Sequence, residues 1–152
     1  MSIPVAVQIL SPKLGREIPL PQYETRGSAG LDLRACLDAP LSLAPGQRAL
    51  VPTGLALALP SPAYAAFLFA RSGLASRHGI ALSNGVGVID SDYRGEIKVA
   101  VTNFSQKPYE IQPGDRICQL VLLPVEQASL FFVDSLEETA RGTGGFGSTG
   151  RA

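Results

Sequence analysis

Nowhere does this sequence sustain a helical repeat. No stretch of about a dozen residues carries apolar positions at helical spacing, and apolar residues come instead in short runs closed by Pro and Gly. The runs Val5–Leu10, Leu31–Ala35, Arg48–Val51, Leu55–Leu59, Tyr64–Ala70, Gly85–Ile89, Glu96–Asn103 and Ile117–Leu123 read as strands, with Leu130–Val133 as a further candidate. Pro45-Gly46-Gln47-Arg48 and Pro113-Gly114-Asp115-Arg116 look alike and read as one hairpin turn used twice. The best helix candidate is short, Ser72 to His78, with Ser72 as its N-cap. Short strands at this spacing predict an all-β fold, a sandwich or barrel of jelly-roll type with at most one short helix.

Length and composition narrow the function. A chain of 152 residues makes one domain with a real core. Charged residues make up only 17%, against about 25% in ordinary domains, which hints at surface hidden in an oligomer. The formal net charge is zero and no basic run stands out, so nucleic acid is not an expected partner, although a local anion site remains open. The start of the chain lacks a signal-peptide pattern and the apolar runs are too short to span a bilayer, which predicts a cytoplasmic protein with no membrane partner. Cys36 and Cys118 sit in apolar strand patterns and read as buried thiols. One histidine, His78, and no close cysteine pair argue against structural zinc. From Glu137 the chain turns glycine-rich and loses any core pattern, so residues 1–136 read as the β domain and 137–152 as a mobile arm.

Five segments have the means for chemistry, and each has a plainer reading beside it. Gly142 to Gly147 spells G-x-G-x-x-G, but no strand precedes it and no helix can follow, so a dinucleotide site is excluded. A flexible terminus is the plain reading. Arg141, Phe146, Ser148 and Thr149 add a guanidinium fork, a flat ring and hydroxyls, which suit a lid over a nucleotide. Arg71-Ser72-Gly73 lies where a strand gives way to a helix, with amides free for an anion; alternatively it is only a junction with a surface arginine. Gly87 to Gly95 reads as a hairpin tip in which Asp90 and Asp92 shape a turn, or in which Asp90 is a fixed carboxylate able to take a proton from water. Asp32 interrupts an apolar strand, and Gln119 is polar within a buried-looking run.

Together these segments, AGLDLRA, RSGLASRHGI, GVIDSDYRGEIKV, RICQL and RGTGGFGSTG, resemble in order and spacing the five motifs of the trimeric deoxyuridine triphosphatase (dUTPase) family. The resemblance runs from about Val5 to Arg151. It implies a jelly-roll homotrimer whose sites are assembled from several subunits, with the C-terminal arm of one closing over the site of others. It implies hydrolysis of dUTP to dUMP and pyrophosphate, with Mg²⁺ on the triphosphate. Asp90 would activate the water that attacks the α-phosphorus. Arg71, Ser72, Gly73 and Gln119 would hold the phosphates. Asn84, with backbone around Val88 and Ile89, would read uracil, Tyr93 would pack beneath the deoxyribose, and Lys98 would border the nucleotide. In the arm, Arg141 would hold the γ-phosphate, Phe146 would stack on uracil, and Gly147, Ser148 and Thr149 would complete the phosphate cradle. Asp32 would support the metal through water. Two rivals share the fold: a dCTP deaminase, which needs a different second motif, and a non-catalytic nucleotide-binding module, against which the intact Asp90 and complete tail argue.

Overall fold

A computed structural model describes residues 2–145 of the chain. Its elements are β1 (Ala6–Ile9), β2 (Leu31–Arg34), β3 (Leu41–Leu43), β4 (Arg48–Pro52), β5 (Leu55–Ala58), β6 (Tyr64–Ala70), α1 (Ser72–His78), β7 (Ile80–Leu82), β8 (Gly87–Ile89), β9 (Lys98–Asn103), β10 (Tyr109–Ile111) and β11 (Arg116–Pro124). The strands form an antiparallel four-stranded sheet in the order β2-β11-β6-β8, a three-stranded sheet β4-β9-β7, and two short ladders, β1-β5 and β10-β3. The fold is all-β and of jelly-roll type, with one short helix among the described residues, as the strand spacing predicts.

Side-chain alternation builds the core. Val99 and Val101 of β9 are buried while Lys98 before them stays exposed, and Leu33, Leu68, Ile117 and Leu120 of the four-stranded sheet join them in one core. Each such buried side chain contributes roughly 1.5–3 kcal/mol of transfer free energy. Asn103 is the polar exception: fully buried, it donates from its amide to the carbonyls of Leu43 (2.9 Å) and Lys107 (2.7 Å), so its burial is satisfied.

The repeated Pro-Gly fragments are the same turn, but not a hairpin. In each, the fourth residue's N–H closes on the first residue's carbonyl, Gln47 on Ala44 at 3.0 Å and Asp115 on Gln112 at 3.1 Å. The glycines adopt φ of 75° and 85°, as a type II turn requires. In each, too, the fourth side chain reaches back to the first N–H. Yet β3 pairs with β10, and neither pairs with the strand that follows it. The two turns are corners that pass the chain from the β10-β3 ladder into the two larger sheets.

A second hairpin expectation is corrected in the same way. β8 pairs only with β6, and β9 pairs with β4 and β7, so the segment from Asp90 to Ile97 is a crossing between sheets. Strands β3, β7 and β10 were not expected from the sequence; each has three residues, too few to display a period. Leu130–Val133 forms no strand. Leu130, Phe131 and Phe132 are 77%, 85% and 95% exposed.

The helix α1 occupies the expected residues, but its N-cap is Arg71 rather than Ser72, with no side-chain capping bond. Gly79 ends it in the left-handed region, φ 67°, where a Cβ would lie 2.9 Å from the Ser105 backbone nitrogen. Among the described residues no helix is long and apolar enough to cross a membrane.

Candidate active site

The expected site residues fall into two groups. The first lies where β2, β11 and the end of β6 meet. Strand register sets Asp32, Gln119 and Phe69 directly across from one another on three adjacent strands. Asp32 is only 8% exposed. Its burial is tolerable because both carboxylate oxygens are engaged: Arg71 Nε donates to Oδ1 at 3.0 Å and Arg116 Nη1 to Oδ2 at 3.2 Å. Arg71 also donates from Nη1 to the Arg116 carbonyl (3.4 Å), and Arg116 pairs a second time with Glu24 at 3.2 Å. Arg71 is thereby aimed by two fixed acceptors. Ser72 and Gly73 follow it, exposed on the first turn of α1, and Gln119 is exposed on β11. Arg71, Ser72 and Gly73 form one wall of a cleft of about 660 Å³. Beneath this corner lies the fully buried Cys118, whose thiol is pushed up to about 12 by burial and by the negative charge of Asp32.

The second group gathers around the sheet crossing. Val88, Ile89, Asp90, Tyr93, Glu96 and Lys98 share a cleft of about 410 Å³. Ile89 is buried against β6 and so fixes the position of Asp90, the next residue, whose side chain is exposed. The Tyr93 N–H closes a turn on the Asp90 carbonyl at 3.2 Å, and the Tyr93 hydroxyl donates to the Glu96 carbonyl at 3.1 Å. This fold-back of the ring requires glycine at position 95, where a Cβ would lie 2.3 Å from the tyrosine oxygen. Glu96 in turn accepts the Gly54 N–H at 2.9 Å and stands 3.9 Å from Lys98. β8 is an edge strand, so one row of its backbone donors and acceptors has no partner in the sheet. Asn84 lies exposed in the turn that joins β7 to β8, where the Gly85 N–H meets the Leu82 carbonyl at 3.1 Å.

These two groups stand apart within one chain. Ala66, opposite Ile89, and Arg71 are five residues apart on extended backbone, a span of about 17 Å at the usual strand rise. Arg141 meets neither group through a hydrogen bond; its Nε donates to the Gly144 carbonyl at 2.9 Å within its own segment. Phe146, Gly147, Ser148 and Thr149 lie outside the described residues. Three contributors went unnoticed in the sequence: Arg116, Gly95 and Glu96. Only Arg116 gave a signal, as the first residue after a recognised turn.

Among the described residues no three His, Cys, Asp or Glu side chains converge to hold a cation.

Comparison with known proteins places the chain in one family. The dUTPase family model covers residues 16–150. The chain is 55% identical to the deoxyuridine 5'-triphosphate nucleotidohydrolase of Idiomarina loihiensis, over 97% of this chain and 98% of that protein. It is 53% identical to the Escherichia coli protein of the same name, over 97% of each. In structure it is similar to the dUTPase of Staphylococcus bacteriophage 80alpha with dUPNHPP, with TM-score 0.83 and 25% identity over 97% of this chain and 98% of the other. A chain that is 53–55% identical to two of these relatives over 97% of its length, and that the family model covers over residues 16–150, belongs to the dUTPase family.

Proposed function

We propose that this protein is a dUTP diphosphatase that hydrolyses dUTP to dUMP and pyrophosphate in a site shared between copies of a cytoplasmic homotrimer, removing dUTP and supplying dUMP for thymidylate synthesis. One observation carries this reading. An arginine aimed in advance by buried partners, Arg71, coexists with an open, backbone-fixed carboxylate, Asp90. Phosphoryl chemistry needs these two things, charge placed on the phosphates and a group that orients one water.

Arg71, Ser72, Gly73 and Gln119 bind the phosphate chain. Arg71 contributes a guanidinium whose direction is set before substrate arrives, so little ordering remains to be done on binding. Asp90 takes a proton from the water that attacks the α-phosphorus, and pyrophosphate leaves. The free edge of β8 at Val88 and Ile89, with Asn84, pairs with the polar edge of uracil, and the tight backbone leaves no space for the methyl of thymine. Tyr93, held by Glu96 and given room by Gly95, packs under the deoxyribose and excludes a 2′-hydroxyl, with Lys98 at the border. Mg²⁺ bound with the triphosphate would supply charge neutralisation on its oxygens. Asp32 aims Arg71 and would act on a bound ion only through water.

The span between the two groups supports the shared site. A general base works within about 3 Å of the proton it takes. Asp90, one residue beyond Ile89, and the Arg71 corner, roughly 20 Å apart along β6, address one nucleotide when they come from different copies. The exposed run Leu130, Phe131 and Phe132 supports association too, since apolar side chains in a row mark contact surfaces. In the arm, residues 137–152, Arg141 holds the γ-phosphate, Phe146 stacks on uracil, and Gly147, Ser148 and Thr149 close the cradle.

The test is pyrophosphate release from purified protein with Mg²⁺, on dUTP, UTP, dTTP and dCTP in parallel. Fast release from dUTP alone is the expected result. Ammonia from dCTP would mark a deaminase, and tight dUTP binding without release would mark a binding module.

A further inference from the structure

We propose that Glu96 is a specificity-determining positioning residue: its carboxylate, docked on the turn between β4 and β5, fixes the carbonyl that holds the Tyr93 ring, and so sets the discrimination of deoxyribose from ribose. The identity of the sugar rests on the proposed hydrolysis of dUTP; the geometry of the brace does not.

The Tyr93 ring has little else to hold it. It is 46% exposed, so packing leaves it room to turn. Its hydroxyl makes one hydrogen bond among the described residues, to the Glu96 carbonyl at 3.1 Å. A ring that excludes a single oxygen by contact must be held to within about 0.5 Å. The carbonyl must therefore be held at least as firmly.

That hold comes from the turn. Ile97, the next residue, is locked to it on both sides: its carbonyl accepts the Thr53 N–H at 3.2 Å and the Thr53 hydroxyl at 2.7 Å, and its N–H donates to the Leu55 carbonyl at 2.8 Å. Between Thr53 and Leu55 stands Gly54, whose N–H donates to Glu96 Oε1 at 2.9 Å. Gly54 is buried, so this N–H needs a partner, and the carboxylate provides one in a charge-assisted bond. The backbone of Ile97 and the side chain of Glu96 thus grip three consecutive residues. The Glu96 carbonyl lies between the two grips.

The turn itself is firm. Gly54 has φ 71°, and a Cβ there would lie 2.3 Å from Leu14 Cδ1 and 3.0 Å from Cys36 Sγ. Its carbonyl accepts the Leu10 N–H, and the Pro52 carbonyl accepts the Cys36 N–H, both at 2.8 Å. Glu96 therefore ties an exposed ring to the packed interior. Its charge has the smaller part. Oε2 is 3.9 Å from the Nζ of the exposed Lys98, and so open a pair contributes little. The reach of an acceptor oxygen is what positions the carbonyl, and two conservative substitutions separate reach from charge. Glu96→Gln keeps the reach and loses the charge, whereas Glu96→Asp keeps the charge and falls one methylene short.

The experiment measures kcat/KM on dUTP, UTP and dTTP for the full-length parent and both variants, with calorimetric binding of α,β-imido-dUTP and α,β-imido-UTP. Glu96→Asp lowers the dUTP-over-UTP ratio about tenfold, the scale of one lost charge-assisted bond. Its dUTP-over-dTTP ratio stays within about twofold of the parent, because the edge of β8 still reads the base. Glu96→Gln keeps both ratios within about twofold. If Glu96→Asp fails to fold, Tyr93→Phe cuts the same tether at the ring without touching Gly54, and the dUTP-over-UTP ratio falls there instead. An unchanged dUTP-over-UTP ratio in the folded variant, a Glu96→Gln protein that loses it as Glu96→Asp does, or an equal fall in the ratio over dTTP overturns the proposal. A parent that releases no pyrophosphate from dUTP sinks the hydrolytic reading. The binding ratio of the two imido nucleotides then decides the role of Glu96, and a parent that binds neither overturns both.

Discussion

The corner around Asp32 and the crossing around Asp90 are built on opposite principles. At the corner, the buried carboxylate and both arginines are satisfied within the chain. At the crossing, Asp90, Tyr93 and Lys98 stand exposed, beside a strand with a free edge. The first region is finished before substrate arrives and contributes to stability as well as to binding. The second is held in place by its backbone, while its side chains wait for a partner. The difference teaches where a mutation should register: in folding and affinity at the corner, in turnover and selectivity at the crossing.

Replacing Asp90 with Asn should break the crossing's chemistry most completely. Loss of a general base lowers kcat by about 10²–10⁴. The Asp90 side chain makes no hydrogen bond among the described residues, so steady-state kinetics should collapse while the thermal melt stays in place. A large drop in melting temperature would erase the contrast between the regions. Asp32→Asn is the mirror test. It leaves two guanidinium groups around a neutral amide, and we expect a loss of about 1–3 kcal/mol in denaturant unfolding, together with a raised KM. Unchanged stability would mean that the corner is not tied together as the ion pairs indicate. The smallest effect belongs to Gly95→Ala. The new Cβ would displace the Tyr93 ring, so discrimination between dUTP and UTP should fall by about tenfold with little change in folding. A variant that still rejected UTP as the parent does would remove Tyr93 from its proposed place.

Much of this was legible in the sequence, for local reasons. β6 and α1 occupy the expected residues because a seven-residue apolar run and a glycine stop mark them unambiguously. The all-β class follows from the absence of any long helical period. What was hidden is non-local. Asp32 stood out only as an acid in an apolar strand, since its partner Arg116 is 84 residues away. Whether a short strand, a turn and another strand pair with each other or cross between sheets depends on which third strand competes for the ladder. For β8 the winner is β6, and the hairpin reading failed there. Asn103 is a similar lesson. In sequence it heads a glycosylation sequon, whereas in the fold it is fully buried and bonded to two carbonyls.

The central claim is that corner and crossing serve one nucleotide from different copies of the chain. Subunit complementation tests this most directly: Asp90→Asn and Arg71→Ala proteins, each inactive alone, are unfolded together, refolded as a mixture and assayed on dUTP. Activity should return, with about one site in four carrying both intact groups if copies mix at random in a symmetric oligomer. A mixture that stays as inactive as its parents, with mixed oligomers demonstrably formed, would place both groups in the same chain's site and contradict the account.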